Sequence, residues 1–337
     1  MAFRVGGADG DQIAALVRDP DESFGPAKRI QTPAFGWLTD PAIAVSPNGA
    51  VVVGFGTQKH SSAEDLAPGP RPASVPRGHP AVIVRVAGDP WGRIHVLSTG
   101  TATAPVVAVG SDDRPLVAWV RGTQVQASVL AEDGHSGRIR RVGSGRAGGR
   151  IALAAGAKGR AAIAWADATR VIRVARRAGS GFARGRRVQT GGASGVSGLT
   201  AAIDDRGRVW VAWRDGTDAA GSIVVAQAAV TGTFRLATIA TGAALGDPAL
   251  TARPGGGAVV AWRAPTGWSA AAAPPKGVFG SAQAVSAALG PGDETLRVPA
   301  VFAGPATTFD LLWRQNLVNV PVPGPVILSA YGDEPVR

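Results

Sequence analysis

Four arginines follow apolar runs that contain tryptophan, and their residue type and spacing are suited to binding anions. Each lies one or two positions after a tryptophan, at Arg121, Arg214, Arg263 and Arg314. A guanidinium group forks onto a carboxylate, sulfate or phosphate through two parallel hydrogen bonds. If the apolar runs are equivalent strands, these groups collect on one face around a central opening. The spacing therefore predicts a positively charged mouth for an anionic ligand.

Two tryptophans are expected near the same face, in loops that open towards it. Trp37 follows an outer strand and Trp268 follows the fifth apolar run of this kind. An aromatic platform beside arginines suits a charged sugar. The alternative is structural, with each arginine stacked on a neighbouring tryptophan or paired with a nearby aspartate such as Asp215.

A second group of arginines is concentrated in the middle of the chain. Between Arg138 and Val188 the only acidic residue is Asp167. We expect many of these arginines on outer strands, where a basic rim would bind acidic polysaccharide, wall polymer or nucleic acid. The alternative is a solvated edge whose charge blocks sheet-to-sheet aggregation. The predicted rim consists of Arg140, Arg141, Arg173, Arg176, Arg184, Arg186 and Arg187.

Catalytic and metal-binding patterns are weak. Two spaced carboxylates would serve a glycosidase, and Asp167, Asp215 and Asp218 follow apolar runs, although aspartate is also an ordinary turn residue. Asp112-Asp113 and Asp204-Asp205 lack a third carboxylate for calcium. The histidines, at positions 60, 79, 95 and 135, show no ligand spacing. We predict no catalytic residue, no metal and no cofactor.

A repeat of two β-hairpins must position these side chains. The first hairpin joins strands a and b, and it ends on a tryptophan in most copies. The second hairpin joins strands c and d. Turn residues between short apolar runs mark such hairpins, and runs that are apolar on both faces are buried on both sides of a sheet. The tryptophans at 119, 165, 213, 262 and 313 recur at spacings of 46, 48, 49 and 51 residues. That period is typical of a four-stranded propeller blade.

Six copies of each hairpin predict an all-β fold, a six-bladed β-propeller over residues 1–337 as one domain. The chain begins with a c–d hairpin within residues 1–31 and ends with an a–b hairpin, so the two are expected to share one blade and close the ring. Residues 56–80 form a long insertion loop, and residues 315–337 hold an extra strand. Seven blades are the alternative.

The recurring pattern, as in Gly256-Gly257-Ala258-Val259-Val260-Ala261-Trp262, resembles the sialidase-type and other BNR-like propeller repeats of bacteria. The Asp-box of that superfamily, Ser/Thr-x-Asp-x-Gly-x-Thr-Trp, is matched in no copy. The resemblance implies an arginine cluster with a tyrosine nucleophile and a glutamate. The sequence has a single tyrosine, Tyr331, and no glutamate in a strand core, so the resemblance extends to the fold and not to the catalytic set.

The formal net charge is +11, and it is carried almost entirely by arginine. Such a charge is suited to an anionic partner, although arginine-rich codon usage is the favoured explanation of it. There is no cysteine, and no apolar run is long enough to span a membrane. We predict a monomeric, non-catalytic module that binds an anionic polysaccharide or glycan at the cell envelope or outside the cell. The alternatives are a carbohydrate-active enzyme and a protein–protein platform, while nucleic acid is a less favoured ligand and a cytoplasmic location remains open.

Overall fold

The computed structural model describes residues 2–7, 10–15, 28–30, 37–39, 41–46, 48–58, 78–100, 102–147, 149–178, 181–188, 195–253, 255–275, 277–285, 300–303, 309–315 and 326–331. Within these residues the chain is β-strand and turn, with one 3₁₀ turn at Ala157–Gly159. The predicted all-β class is confirmed.

Two compact units make up the chain. The first comprises Met1–Ala161 with Ala175–Gly185, and the second comprises Ala162–Val174 with Arg186–Arg337. The assignment of residues 1–337 to one domain stays a prediction.

Three antiparallel sheets lie wholly in the first unit, with strand orders β1-β2-β3, β4-β6-β7-β8 and β12-β11-β10-β9. A further strand, β5, pairs with β6 beside β4, so β4 and β5 act as one interrupted strand and the second sheet has four strand positions. The strands are β1 (Ala2–Gly7), β2 (Gly10–Ala15), β3 (Lys28–Ile30), β4 (Trp37–Leu38), β5 (Ala42–Val45), β6 (Val51–Gln58), β7 (His79–Arg85), β8 (His95–Val96), β9 (Val106–Val109), β10 (Pro115–Arg121), β11 (Gln124–Val129) and β12 (Arg140–Ser144).

The next sheet contains strands assigned to both units. Its order is β13-β14-β15-β16, and β17 also pairs with β15, so β16 and β17 form one interrupted outer strand. The strands are β13 (Ile151–Ala155), β14 (Ala161–Ala166), β15 (Ile172–Ala178), β16 (Gly181–Phe182) and β17 (Arg186–Arg187).

The second unit holds three more antiparallel sheets, with orders β18-β19-β20-β21, β22-β23-β24-β25 and β26-β27-β28. Five of the seven sheets in the described chain thus have four strand positions, which is consistent with a propeller. The strands are β18 (Val196–Ile203), β19 (Val209–Gly216), β20 (Gly221–Ala228), β21 (Arg235–Gly242), β22 (Ala249–Ala252), β23 (Ala258–Ala264), β24 (Gly267–Ala273), β25 (Gln283–Ala284), β26 (Ala300–Ala303), β27 (Phe309–Gln315) and β28 (Val326–Tyr331).

All six predicted a–b hairpins are present as antiparallel strand pairs. At the termini the structure adds detail that the sequence left open. An unpredicted strand, β1, pairs with β2, and the expected extra C-terminal strand is β28, which pairs directly with β27. Much of the predicted loop at 56–80 lies outside the described residues, because the described chain stops at Gln58 and resumes at Gly78.

The second strand of each hairpin forms the core, as its apolar character predicts. Trp119, Trp165, Trp213 and Trp262 lie on these strands, and each is at most 1% exposed. Small residues let neighbouring sheets approach closely: a Cβ added to Gly54 on β6 would lie 2.7 Å from Cγ1 of Val107 on β9. Burial on both faces explains why these runs show no polar alternation.

Candidate functional site

The predicted mouth arginines all lie at or next to the end of a second hairpin strand. Arg121 ends β10, Arg214 is near the end of β19, and Arg263 is near the end of β23. Arg314 lies on β27 and Trp37 on β4, but their side chains fall outside the described residues. Their collection around a central mouth stays a prediction, and the described side chains among them differ in their surroundings.

Arg214 is held by a network within the second unit. Its Nε donates to Ser197 Oγ at 2.9 Å, and its Nη1 donates to the Leu245 carbonyl at 2.8 Å and to the Asp218 carboxylate. Ser197 Oγ donates in turn to Asp247 Oδ1 at 2.7 Å, and that carboxylate oxygen lies 3.7 Å from Arg214 Nε. The arginine side chain is 17% exposed and that of Asp247 is 18% exposed. Arg214 therefore has its charge neutralised by protein groups.

A glycine bulge builds this network. The pairing of β18 with β19 shifts register between Ser197 and Thr200, and Gly198 adopts φ +59°. A Cβ at Gly198 would lie 2.5 Å from Cβ of Asp247, so only glycine allows the strand to approach that aspartate. The bulge directs the Ser197 hydroxyl between Arg214 and Asp247.

Asp215, the aspartate proposed as a partner, is not the one that pairs with Arg214 in this network. Successive side chains on a strand point to opposite faces, so Asp215 faces away from its neighbour Arg214. Asp247 has no signal in the sequence because it lies in the connection leading to the next hairpin. The structural alternative for this arginine is therefore supported, with different carboxylates from the one expected.

Arg121 and Arg263 make no ion pair within the described part of the chain. Arg121 is exposed, and a Cβ on Gly100 would lie 2.7 Å from its Nε, so the guanidinium rests on the glycine backbone. Arg263 is half-buried and pairs in register with Trp268. Trp268 lies on β24, not in a loop, and is 1% exposed among Val259, Ala261 and Ala270. That burial is typical of a core residue and not of an open aromatic platform.

Asp167, a candidate catalytic carboxylate, is committed to its own turn. Its Oδ1 accepts hydrogen bonds from Thr169 N at 2.9 Å, Thr169 Oγ1 at 2.6 Å and Val171 N at 3.1 Å, and its Oδ2 accepts one from Arg173 Nε at 2.7 Å. Burial alone would raise the pKa of Asp167, but the bonds from Thr169, Arg173 and Val171 outweigh it and lower the pKa. The ionised carboxylate thus stabilises a turn.

The paired aspartates of two hairpin turns tie adjacent sheets together. In the second unit, Asp204 accepts from Gly257 N at 3.3 Å and Asp205 accepts from Gly255 N at 2.9 Å. In the first unit, Asn48 donates to Asp113, whose pKa is lowered by hydrogen bonds from Ser46 and Asn48. Among the described residues no group of three or more histidines, cysteines or carboxylates is placed to hold a metal. These aspartates accept hydrogen bonds from backbone and side-chain donors of the neighbouring turns.

Strands at the edge of two sheets in the first unit carry or precede exposed arginines that have no carboxylate partner among the described residues. Arg140 and Arg141 lie on β12, the edge strand of its sheet, and both are exposed. Arg184 follows β16 and is also exposed. The two edges lie against each other, because a Cβ on Gly181 would be 3.3 Å from Arg140 Nε. Arg141 donates to Ser144 Oγ at 3.0 Å, and none of these three arginines, which we call the edge arginines, forms an ion pair in the described residues.

The remaining rim arginines differ among themselves. Arg186 and Arg187 are exposed on β17 in the second unit. Arg173 lies opposite Arg187 in register and is paired with Asp167. Arg176 is half-buried on β15 and takes part in further polar interactions. Arg140, Arg141, Arg186 and Arg187 thus lie on outermost strands, and Arg173 and Arg176 lie on β15, the third strand position, which belongs to the same second hairpin of the repeat. Their role as a basic rim stays a prediction.

Comparison with known proteins supports the fold and no family. No protein-family model matches the chain, and no curated protein matches it. An ulvan lyase, described as a new family of polysaccharide lyase, superimposes with TM-score 0.53 and 8% identity over 93% of this chain and 86% of its own. A protein of unknown function from Dyadobacter fermentans gives TM-score 0.52 and 13% identity over 86% of this chain and 92% of its own. At these identities the likeness concerns the fold alone.

Within the described residues no helix has the length and apolar character needed to cross a membrane.

Proposed function

We propose that this protein is a non-catalytic binding module that recognises an anionic polysaccharide through the edge arginines. The observation that carries the proposal is the exposure of Arg140, Arg141 and Arg184 on one unit, on and next to strands that contact each other, with no ion pair among the described residues. Exposed guanidinium groups of this kind are available for bidentate contacts with sulfate or carboxylate. Arg214 is not available to bind an anion because its guanidinium group already interacts with the carboxylates of Asp218 and Asp247.

The scaffold we propose is a six-bladed β-propeller whose N- and C-terminal strands share a blade. The succession of antiparallel sheets with four strand positions supports it, as does the tryptophan spacing. Closure of the ring would abolish exposed sheet edges between the termini. By its name the ulvan lyase acts on a polysaccharide, so this fold is compatible with binding one.

A binding role is favoured over catalysis by the state of the candidate carboxylates. Asp167 is saturated by four hydrogen bonds within its turn, and Asp218 is paired with Arg214. The lowered pKa of Asp167 does not suit a general acid, which requires a raised pKa, and Asp218 already has a cationic partner. We further propose a location at the cell envelope or outside the cell, where such polymers occur; cell fractionation with an antibody tests it.

The test is binding of dextran sulfate, polygalacturonate, neutral dextran and duplex DNA, measured by calorimetry at about 50 and 200 mM salt. Three phosphate-like contacts predict about 40-fold weaker binding of a duplex polyanion over that range, and less for a polymer of lower charge density. The informative variant carries Arg140→Ala, Arg141→Ala and Arg184→Ala. A matched control removes three exposed arginines elsewhere, Arg93, Arg114 and Arg235, and so lowers the net charge equally.

We expect the edge variant to lose at least tenfold in affinity for the anionic polysaccharides and the control to lose much less. Equal losses in both variants would show that binding follows net charge and not a site. Loss confined to a variant with Arg121→Ala and Arg263→Ala would move the site to the ends of the second hairpin strands. Binding to none of the anions, or turnover of one of them, would refute the proposed function.

A further inference from the structure

Two histidines that lie 40 residues apart in the sequence meet on the first unit. His95 begins the short strand β8, and His135 lies in the turn that follows β11. Their ring centroids are 4.1 Å apart with an interplanar angle of 52°. The sequence offered no ligand spacing for them, and only the packing of two neighbouring sheets brings them together.

Asp133 fixes both rings. Nε2 of His95 lies 2.9 Å from the Asp133 carbonyl oxygen, and Nδ1 of His135 lies 2.8 Å from the Asp133 carboxylate. The same carboxylate accepts the backbone N–H of His135 at 2.9 Å. Asp133 therefore holds His95 through its backbone carbonyl and His135 through both oxygens of its side chain.

These contacts indicate which ring nitrogen of each histidine carries the hydrogen. A carbonyl oxygen and a carboxylate oxygen accept hydrogen bonds, so the donors are Nε2 of His95 and Nδ1 of His135. The lone pairs are therefore left on Nδ1 of His95 and on Nε2 of His135. A metal-ligating histidine commonly has this arrangement, with its other ring nitrogen donating to a carbonyl or carboxylate.

We propose that His95 and His135 form a two-histidine site for a late first-row divalent metal ion such as Zn²⁺ or Ni²⁺. Imidazole nitrogens suit these metals, with metal–nitrogen distances of about 2.0–2.1 Å. The His135 side chain is 70% exposed, which leaves room for water or a donor from a bound molecule to complete the coordination. Gly134 helps to hold the rings, since it adopts φ +89° and a Cβ there would lie 2.9 Å from Cδ2 of His95.

The test is calorimetric titration of the tag-free full chain with ZnCl₂ and NiCl₂. We expect one saturable site in the wild type, and at least tenfold weaker binding in His95→Phe and in His135→Phe. Phenylalanine keeps an aromatic ring in contact with its neighbour but removes the nitrogens, so a purely structural pair would show unchanged metal binding. Asp133→Asn should weaken binding by about 10–100-fold, as loss of a supporting hydrogen bond does at other metal sites.

His60→Phe is the matched control, the same change at a histidine outside the described residues, and it should bind metal like the wild type. Long-range ¹H–¹⁵N spectra of the wild type give a readout that needs no variant. Metal should shift Nδ1 of His95 and Nε2 of His135 and leave the hydrogen-bonded nitrogens in place. Absence of these shifts, no saturable binding, or an equal loss in His60→Phe would overturn the site.

Discussion

Arg214 and the edge arginines have the same side chain and opposite surroundings. Arg214 lies at the end of a core strand and is surrounded by Ser197, Asp218, Asp247 and a backbone carbonyl. Arg140 and Arg141 lie on the outermost strand of their sheet, exposed and free of carboxylate partners in the described residues. The position of an arginine in the repeat therefore does not decide its role. The available partners decide it, since a carboxylate already on the protein competes with any anionic ligand.

The largest effect is expected from Arg214→Met, which keeps the apolar stem and removes the charge. Asp247 and Ser197 would be left without their cationic donor at a site that is mostly buried, at a cost of about 2–3 kcal/mol in the free energy of unfolding. Urea denaturation with a constant m-value would measure it. A loss below about 0.5 kcal/mol would remove the distinction between Arg214 and the edge arginines.

Gly198→Ala tests whether the bulge beneath Arg214 is required. Alanine at φ +59°, with its Cβ against Asp247, should destabilise the protein by about 2 kcal/mol. Thermal unfolding of this variant beside Gly232→Ala provides the measurement, because Gly232 has no positive φ and meets only ordinary contacts. An equal effect at both glycines would mean that the bulge does not position the network.

Asp167→Asn probes a second occupied pair, Asp167 with Arg173, and its effect depends on pH. The folded pKa lies below the unfolded value of about 3.9, so the carboxylate stabilises the fold above that pH and loses this contribution as pH falls through the folded pKa. We expect the variant to be less stable by about 1–2 kcal/mol at pH 7. The difference from wild type should shrink towards pH 3 in urea denaturation; a constant difference would contradict the assignment.

The smallest change in stability is expected at the edge itself. Arg140→Ala and Arg141→Ala should each alter the free energy of unfolding by no more than about 0.5 kcal/mol, as surface substitutions usually do. Polyanion affinity should nevertheless fall in both variants, as calorimetry at low salt would show. Marked destabilisation would indicate that these arginines have a structural role like that of Arg214.

Much of the architecture could be predicted because each hairpin depends on residues that are close together in the sequence. The six hairpins follow from turn residues between short apolar runs, and the burial of Trp119 and Trp213 follows from runs that are apolar on both faces. The terminal strand β1 was missed because four residues of β character before a glycine-rich turn carry too little pattern. Trp268 was assigned to a loop because the sequence does not show that β24 begins directly after a two-residue turn.

The candidate sites were less predictable than the strands that carry them. Ser197 and Asp247 reach Arg214 only through a bulge and a connection between hairpins. His95 and His135 come from different sheets, and Asp133 joins them through its backbone as well as its side chain. Neither set has a fixed spacing along the chain, so no motif search would find it.

The all-β class, the hairpin repeat and the concentration of arginine in the middle of the chain follow from the sequence alone, because turns and strands depend on neighbouring residues. Packing of the folded chain establishes which arginines are neutralised, which aspartates tie turns together and which histidines meet. Those outcomes depend on distances between side chains that are remote in sequence. Electrostatic and hydrogen-bond energies act over a few ångström, so they become defined when the sheets pack.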